Sequence, residues 1–260
     1  MEQAAIHSAE RHRTTATVED YLALIFVLER DSVPAVASRM AEQIGVSLPT
    51  VSATLKRMVR DGWVSVGKHE VRLTPDGRKR ARAVARRHYL IERMLRELLD
   101  VPWSRLHSEA HAMEHAISDE TLSRMQARLR NPRTCPHGNP MPGEEQAVAA
   151  WVSLRDMRPG DSGVIRRIHE LAEDNGELMT FLEAHNLMPG ARFTVRDVLP
   201  FNETMQVDTG GASVALGLRN AQWIYAEAQR QAQDGAELQR APVRQLRRAG
   251  RARSSRARSG

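Results

Sequence analysis

Four side chains able to ligate a divalent metal fall within nine residues: His107, His111, Glu114 and His115, in the stretch His107-Ser-Glu-Ala-His111-Ala-Met-Glu114-His115. No Pro or Gly interrupts it, so it reads as helix. At about 100° per residue the four side chains fall within roughly one third of the helix circumference. Imidazole and carboxylate gathered on one face suit a divalent cation. A solvated polar face is the plainer alternative. His111-Ala-Met-Glu114-His115 also fits H-x-x-E-H, the zinc-peptidase pattern in which two His hold the metal and the Glu activates water. Two further pairs stand near this stretch: His88 and Glu92, four apart and so on one helix face, and Cys135 and His137, two apart, a candidate soft pair.

The elements that must position these residues narrow the choice. The chain has 260 residues, enough for one large domain or two to three small ones. Hydrophobic content of 41% supports packed cores, filled mostly by aliphatic residues because aromatics make up only 4%. One cysteine excludes an intramolecular disulfide framework and suits a reducing cytosol. The apolar run at 21–28 is too short to cross a bilayer and nothing at the start resembles a signal peptide, so the expectation is a cytoplasmic protein with no membrane partner. The net charge of +6 resides in residues 231–260, which carry eight Arg against Asp234 and Glu237. The first 230 residues are neutral, so net charge by itself does not argue that the folded body binds nucleic acid.

In chain order, Thr17 can cap a helix beginning at Val18, with Asp20 at the capping-box position. Pro34 suits the first turn of a second helix reaching about Gln43, and Gly45 makes a sharp turn. Ser47-Leu-Pro49-Thr50 then opens a third helix that stops at Asp61-Gly62. Residues 63–66 and 71–74 read as a hairpin around the turn 67–70. Two helices across a tight glycine turn, followed by a hairpin, form a winged helix-turn-helix. Its recognition helix offers Ser47, Pro49, Thr50 and Ser52 near its start, with Lys56 and Arg57 later. Hydroxyls can reach base edges and phosphates, and the cations suit the backbone. Pro75-Asp-Gly77 breaks the chain before a long helix, about 78–99, followed by the His/Glu helix 107–116 and another at 119–129. The segment 131–143, with four Pro and two Gly, is loop. From about 146, short β runs with Pro-Gly and Gly-Gly turns and one helical piece at 176–185 suggest a small β-barrel. The residues after 227 lack an apolar period and read as disordered. The domain reading is a flexible arm at 1–16, a winged helix at 17–82 and a helical metal-binding and dimerisation domain at 83–145. A β-barrel at 146–227 and a basic tail at 228–260 complete it.

This order of elements resembles the diphtheria toxin repressor family of metal-dependent repressors. The resemblance covers about residues 14–227. Its local matches are Thr17-Val-Glu-Asp20-Tyr-Leu22, Pro49-Thr-Val-Ser52, Leu73-Thr-Pro-Asp-Gly-Arg78 and Arg87-His88-x-x-x-Glu92. The stretches His107–Asp119 and Pro136-His-Gly-Asn-Pro-Met-Pro-Gly143 complete the set. The resemblance implies a mainly α protein with a C-terminal SH3-like barrel. It implies a regulatory metal site of Asp20, His111, Glu114 and His115, and an ancillary site of His88, Glu92 and His107 completed from the barrel by Asp174 and Glu177. It also implies a homodimer, with the Leu/Met faces at 90–99 and 122–129 as its seam, binding palindromic operator DNA.

Two departures bear on the metal. The family's iron-responsive branch carries methionine at the position of Asp20 and cysteine at that of His111. The manganese-responsive branch has the aspartate, but adds a glutamate where this chain has Ala23 and usually a carboxylate in place of His111. A donor set of oxygen and nitrogen alone favours manganese(II), with iron(II) the alternative. A winged-helix regulator with a purely structural metal and an H-x-x-E-H peptidase are the competing readings; on this reading the chain is not an enzyme.

Overall fold

The computed structural model describes residues 15–68 and 70–229. Residues 1–14 of the expected arm, His69, and residues 230–260 of the expected basic tail lie outside the described residues; Thr15 and Ala16 instead open the first helix, and residues 228 and 229 end the last strand.

Helix α1 (Ala16–Arg30) is capped by Thr15, whose side chain accepts from the Val18 N–H at 3.4 Å. The cap therefore falls two residues before Thr17. The capping-box position becomes Val18, and Asp20 stands beyond it. Helix α2 (Ala37–Ile44) starts three residues after Pro34, and Gly45 at φ +72° ends it in the left-handed conformation that glycine adopts without strain. Helix α3 (Leu48–Arg60) is capped by Ser47 and has Pro49 in its first turn. Strands β1 (Val64–Val66) and β2 (Val71–Leu73) pair antiparallel, Val64 opposite Leu73, to form the wing.

Helix α4 (Pro75–Leu99) absorbs the Pro-Asp-Gly triplet that reads as a breaker. Thr74 accepts from the Gly77 N–H at 3.0 Å, and Pro75 needs no hydrogen-bond partner in a first turn. Gly77 is required by contact: a Cβ there would meet the Trp63 carbonyl oxygen at 1.9 Å. Helices α5 (Leu106–Glu114) and α6 (Asp119–Arg128) follow, with Ser118 capping α6.

The C-terminal part is an antiparallel sheet of β3 (Val152–Ser153), β4 (Ser162–Ile168), β5 (Arg192–Leu199), β6 (Thr204–Thr209), β7 (Ala212–Gly217) and β8 (Ile224–Gln229). Helices α7 (Glu170–Glu173), α8 (Gly176–Ala184) and α9 (Leu218–Ala221) are threaded through it. The strand order β3-β8-β4-β5-β6-β7 is open among the described residues, not the closed barrel the turn spacing suggests. Closure would need β3 to pair with β7. Strand β3 offers only two residues, both paired with β8, and the inner face is filled instead by Leu178, Met179 and Leu182 of α8.

Helix α4 serves two cores. Ala81, Ala85, Tyr89 and Leu90 pack with Tyr21, Leu22, Phe26, Met40 and Met58 of the winged helix. Ile91 and Leu95 pack with Trp103, Leu106 and the sheet residues Ile165, Val195 and Val207. This divides the expected dimer seam. Leu90, Ile91, Leu95 and Leu129 are buried inside the chain's own cores, while Leu98 and Leu99 are exposed at 47% and 59%.

A buried ionic latch ties the end of α1 to the β part. The fully buried Arg167 guanidinium of β4 donates to Asp31 at 2.8 and 2.7 Å, to Glu170 at 3.1 Å and to Asn139 at 2.5 Å. Arg30 holds Glu170 through a second fork at 2.6 and 2.7 Å, and the Tyr89 hydroxyl donates to the same carboxylate. Burial works against these carboxylates' charged forms. His169 and Arg167 at Asp31, and Arg30 and Arg167 at Glu170, override it and hold both far below the usual range.

Candidate metal centre

Site one joins α1 to α5. One ligand atom each from Asp20, His111 and Glu114 lies within 4.8 Å of the others. Spacing of i, i+3 on α5 brings His111 Nδ1 to 2.8 Å from Glu114 Oε1. His115, at the C-cap of α5, turns Nε2 toward Asp20 Oδ1 and Glu114 Oε1, 3.5 Å from each. Burial raises the Asp20 pKa, with His111 and His115 opposing it. Burial also works to raise Glu114, but hydrogen bonds with His111 and His88 win and hold it at about 2. The same contact raises His111.

Site two lies one turn earlier on α5 and uses α4 and α7. His88, Glu92, His107 and Glu173 form a group within 4.8 Å. His88 Nε2 is 3.1 Å from His107 Nδ1 and 3.3 Å from Glu92 Oε1. His107 Nε2 reaches Asp174 at 3.1 Å. The other nitrogen of His88, Nδ1, lies 2.9 Å from Glu114 Oε2, so the two sites share a direct contact. Burial opposes a charged His88, but Glu92 and Glu114 raise it to about 9. Burial likewise opposes a charged His107, but Asp174 and Glu173 raise it to about 10.

The chemistry of site two fits a cation. Glu92 Oε2 is buried with no hydrogen-bond partner. Glu173 Oε2 lies 3.0 Å from His107 Nδ1 and 3.3 Å from His137 Nδ1, yet neither approach has hydrogen-bond geometry, and this oxygen is also unpartnered. Buried carboxylate oxygens without a hydrogen-bond partner are costly, and a bound cation would satisfy them. Both sites border one cleft of about 560 Å³, lined by Asp20, His88, His107, His111, Glu114 and Asp174 together with the apolar Leu24, Val27 and Ile44.

The residues expected from the sequence distribute unevenly over this geometry. Asp20, His111, Glu114 and His115 come together, as do His88, Glu92, His107 and Asp174. Glu177 does not join them. It is exposed in a separate groove with Phe181 and Leu216, because Asn175 caps α8 and the break between α7 and α8 turns it away. Glu173 takes the inward place instead, a residue that alignment by position skips. Cys135 and His137, noted as a soft pair, lie with Glu92 in a fully buried third group. His137 stands 3.1 Å from Glu92 Oε1 and 3.1 Å from the Trp103 carbonyl oxygen. Burial, with Glu92 close by, pushes the Cys135 thiol up to about 12. The group Asp31, His169 and Glu170 also has metal-like spacing, but Arg30 and Arg167 already occupy it.

The reading face of the winged helix is open. Ser47, Pro49, Thr50, Ser52, Lys56 and Arg57 are all exposed on or beside α3. The Ser47 hydroxyl caps α3 and sits 2.9 Å from that of Thr50.

A winged helix-turn-helix whose first helix supplies a donor to a His/carboxylate cluster on the adjoining helices defines a metal-responsive DNA-binding regulator. Comparison with known proteins agrees. Residues 13–70 match the N-terminal DNA-binding domain model of iron-dependent repressors, 74–143 their metal-binding and dimerisation domain, and 152–228 the FeoA domain. The chain is 36% identical over 223 residues to the iron-dependent repressor IdeR of Mycobacterium leprae, covering 81% of this chain and 96% of that one. It is 34% identical over 193 residues to the diphtheria toxin repressor of Corynebacterium jeikeium, covering 74% and 76%. Among solved structures, a manganese-dependent transcriptional repressor in complex with manganese superposes with a TM-score of 0.72 at 30% identity, covering 80% of this chain and 98% of that one. The chain belongs to the iron-dependent repressor family typified by the diphtheria toxin repressor. It is a metal-dependent transcriptional repressor with a DNA-binding domain, and not the peptidase that H-x-x-E-H allows. No helix among the described residues is long and apolar enough to cross a membrane.

Proposed function

We propose that this repressor acts in the cytoplasm as a homodimer on palindromic operator DNA, under control of manganese(II), with iron(II) as the alternative metal, to regulate metal-ion homeostasis genes. One observation carries the reading. The donor set of site one spans two elements of different purpose: Asp20 belongs to α1 of the DNA-reading unit, while His111 and Glu114 belong to α5 and His115 is its C-cap. When bound, a divalent cation there would supply the positive charge that draws both together. Site two would be held by His88, Glu92, His107, Glu173 and Asp174.

Asp20, by joining the α5 ligands, would set the angle of α1 and with it that of α3. Two recognition helices of a dimer need a separation of about 34 Å to enter successive major grooves. A hundredfold gain in operator affinity requires only about 2.7 kcal/mol of coupling, and operator must then tighten metal binding by the same factor. The exposed Leu98 and Leu99 at the end of α4 support a partner surface there. Asp20 in place of a sulfur donor supports manganese(II) or iron(II) over softer ions at site one.

The test is an operator-binding titration with manganese(II), iron(II), zinc and a chelator, run beside a mass measurement in solution. The expected result is operator binding by a dimer that requires manganese(II) or iron(II) and is lost on chelation. Operator binding that survives chelation until the fold fails would instead make the metal structural.

A further inference from the structure

Glu19 is absent from every ligand set above, yet it is buried, at 5% exposure, one residue before Asp20 on α1. Its Oε2 lies 3.1 Å from Nδ1 of His115. Its Oε1 accepts from Arg80 Nη2 of α4 at 2.6 Å, and Arg87 Nη1 stands 3.7 Å from Oε2. A carboxylate paired with guanidinium groups accepts hydrogen bonds and does not donate them. The shared hydrogen between Glu19 and His115 therefore resides on Nδ1. In the neutral ring the lone pair is then on Nε2, the nitrogen that faces Asp20 and Glu114.

We propose that Glu19 is a positioning residue for site one: accepting the Nδ1–H of His115, it selects the tautomer and ring orientation that present Nε2 to the metal. The proposal rests on the reading that site one holds a divalent cation. Carboxylates that orient a histidine ligand in this way sharpen its geometry and basicity, and losing one typically lowers metal affinity ten- to a hundredfold. Glu19 and Asp20 are neighbours on α1, the first helix of the winged-helix unit, and His115 ends α5. The reading unit thus engages site one twice, once through a ligand and once through the orientation of another ligand. The plain alternative is that Glu19 only ties α1 to α4 through Arg80.

The test separates these roles in the metal-free and the metal-loaded protein. On full-length protein with ¹⁵N-labelled histidine, long-range ¹H–¹⁵N spectra report the tautomer of His115, assigned by its loss in His115→Gln. The wild type is expected to show Nδ1–H. Glu19→Ala is expected to shift His115 toward the Nε2–H form favoured by an unconstrained histidine side chain and to weaken manganese(II) binding at site one ten- to a hundredfold. Glu19→Gln, which keeps an acceptor oxygen, should retain the tautomer and most of the affinity. Arg80→Ala, which removes the shorter of the two arginine contacts to α4 and leaves the carboxylate, should change both readouts less than Glu19→Ala does.

An unchanged His115 tautomer in Glu19→Ala overturns the proposal. So does equal loss of manganese affinity in Arg80→Ala and Glu19→Ala, which would mark a structural tie. Failure of the underlying site reading is distinct: Asp20→Asn and His111→Ala would then bind manganese(II) like the wild type, whatever the tautomer of His115.

Discussion

Metal entry at site two should expel protons, and the structure sets how many. His88 and His107 are raised to about 9 and about 10 by the carboxylates around them, so at pH 7 in the metal-free protein both rings hold the second proton that makes them imidazolium. A histidine ligates only when neutral at the ligating nitrogen. At about 1.36 kcal/mol per pH unit, stripping these protons at pH 7 costs about 2.7 kcal/mol for His88 and about 4.1 kcal/mol for His107. The sum, about 7 kcal/mol, weakens the apparent affinity at pH 7 by roughly 10⁵-fold relative to a pH above both values. Two protons released per ion make the affinity rise about a hundredfold per pH unit between pH 6.5 and 8.5. The assay is calorimetric titration with manganese(II) in buffers of differing ionisation heat. Carried out on Asp20→Asn protein, which disables site one, it should count about two protons per ion, and about one when His107→Gln is added. Proton release near zero, or an affinity flat across that pH range, would refute the assignment of both histidines as ligands.

Three other outcomes follow from the same geometry. Glu173→Gln should lower metal affinity at site two at least tenfold, while Glu177→Gln should leave it within twofold, since of these two only Glu173 faces His107; calorimetry on the two variants decides. Arg167→Met should destabilise the metal-free fold by about 3–5 kcal/mol in a urea melt, because Asp31 and Glu170 remain buried with one guanidinium between them. Glu114 is depressed from 4.5 to about 2, so it contributes stability that is present above about pH 4.5 and is lost as pH falls through 2. That contribution is roughly 3 kcal/mol, and it should vanish from the acid-unfolding profile of Glu114→Gln.

Much of the fold was legible residue by residue. Gly45 between two short apolar periods, followed by the alternation at 63–74, marks the helix-turn-helix and wing, because turn chemistry and local periodicity are short-range properties. The i, i+3 and i, i+4 spacing on α5 likewise displays His107, His111, Glu114 and His115 without tertiary information. Boundaries were less legible. Pro75-Asp-Gly77 reads as a breaker, and only the approach of the Trp63 carbonyl, which leaves no room for a Cβ, shows why Gly77 lies inside α4. The open sheet was hidden too. Turn spacing announces strands, but closure depends on whether the edge strands are long enough to pair, and β3 is not.

The sequence by itself determined the class of protein: a winged reading head, a helix that displays metal donors, and the motifs of a repressor family. The tertiary structure decided which acids stand beside these histidines. Glu173 and Asp174 lie against His107 and Glu177 does not, because the break between α7 and α8 falls between them. Glu19 and His137 come under the ligands from segments distant in the chain. Such choices are made by long-range packing against α4 and the sheet, where a turn of helix moves a carboxylate by several ångströms. A helical period carries the face of its own helix, but it contains nothing about what another element places opposite.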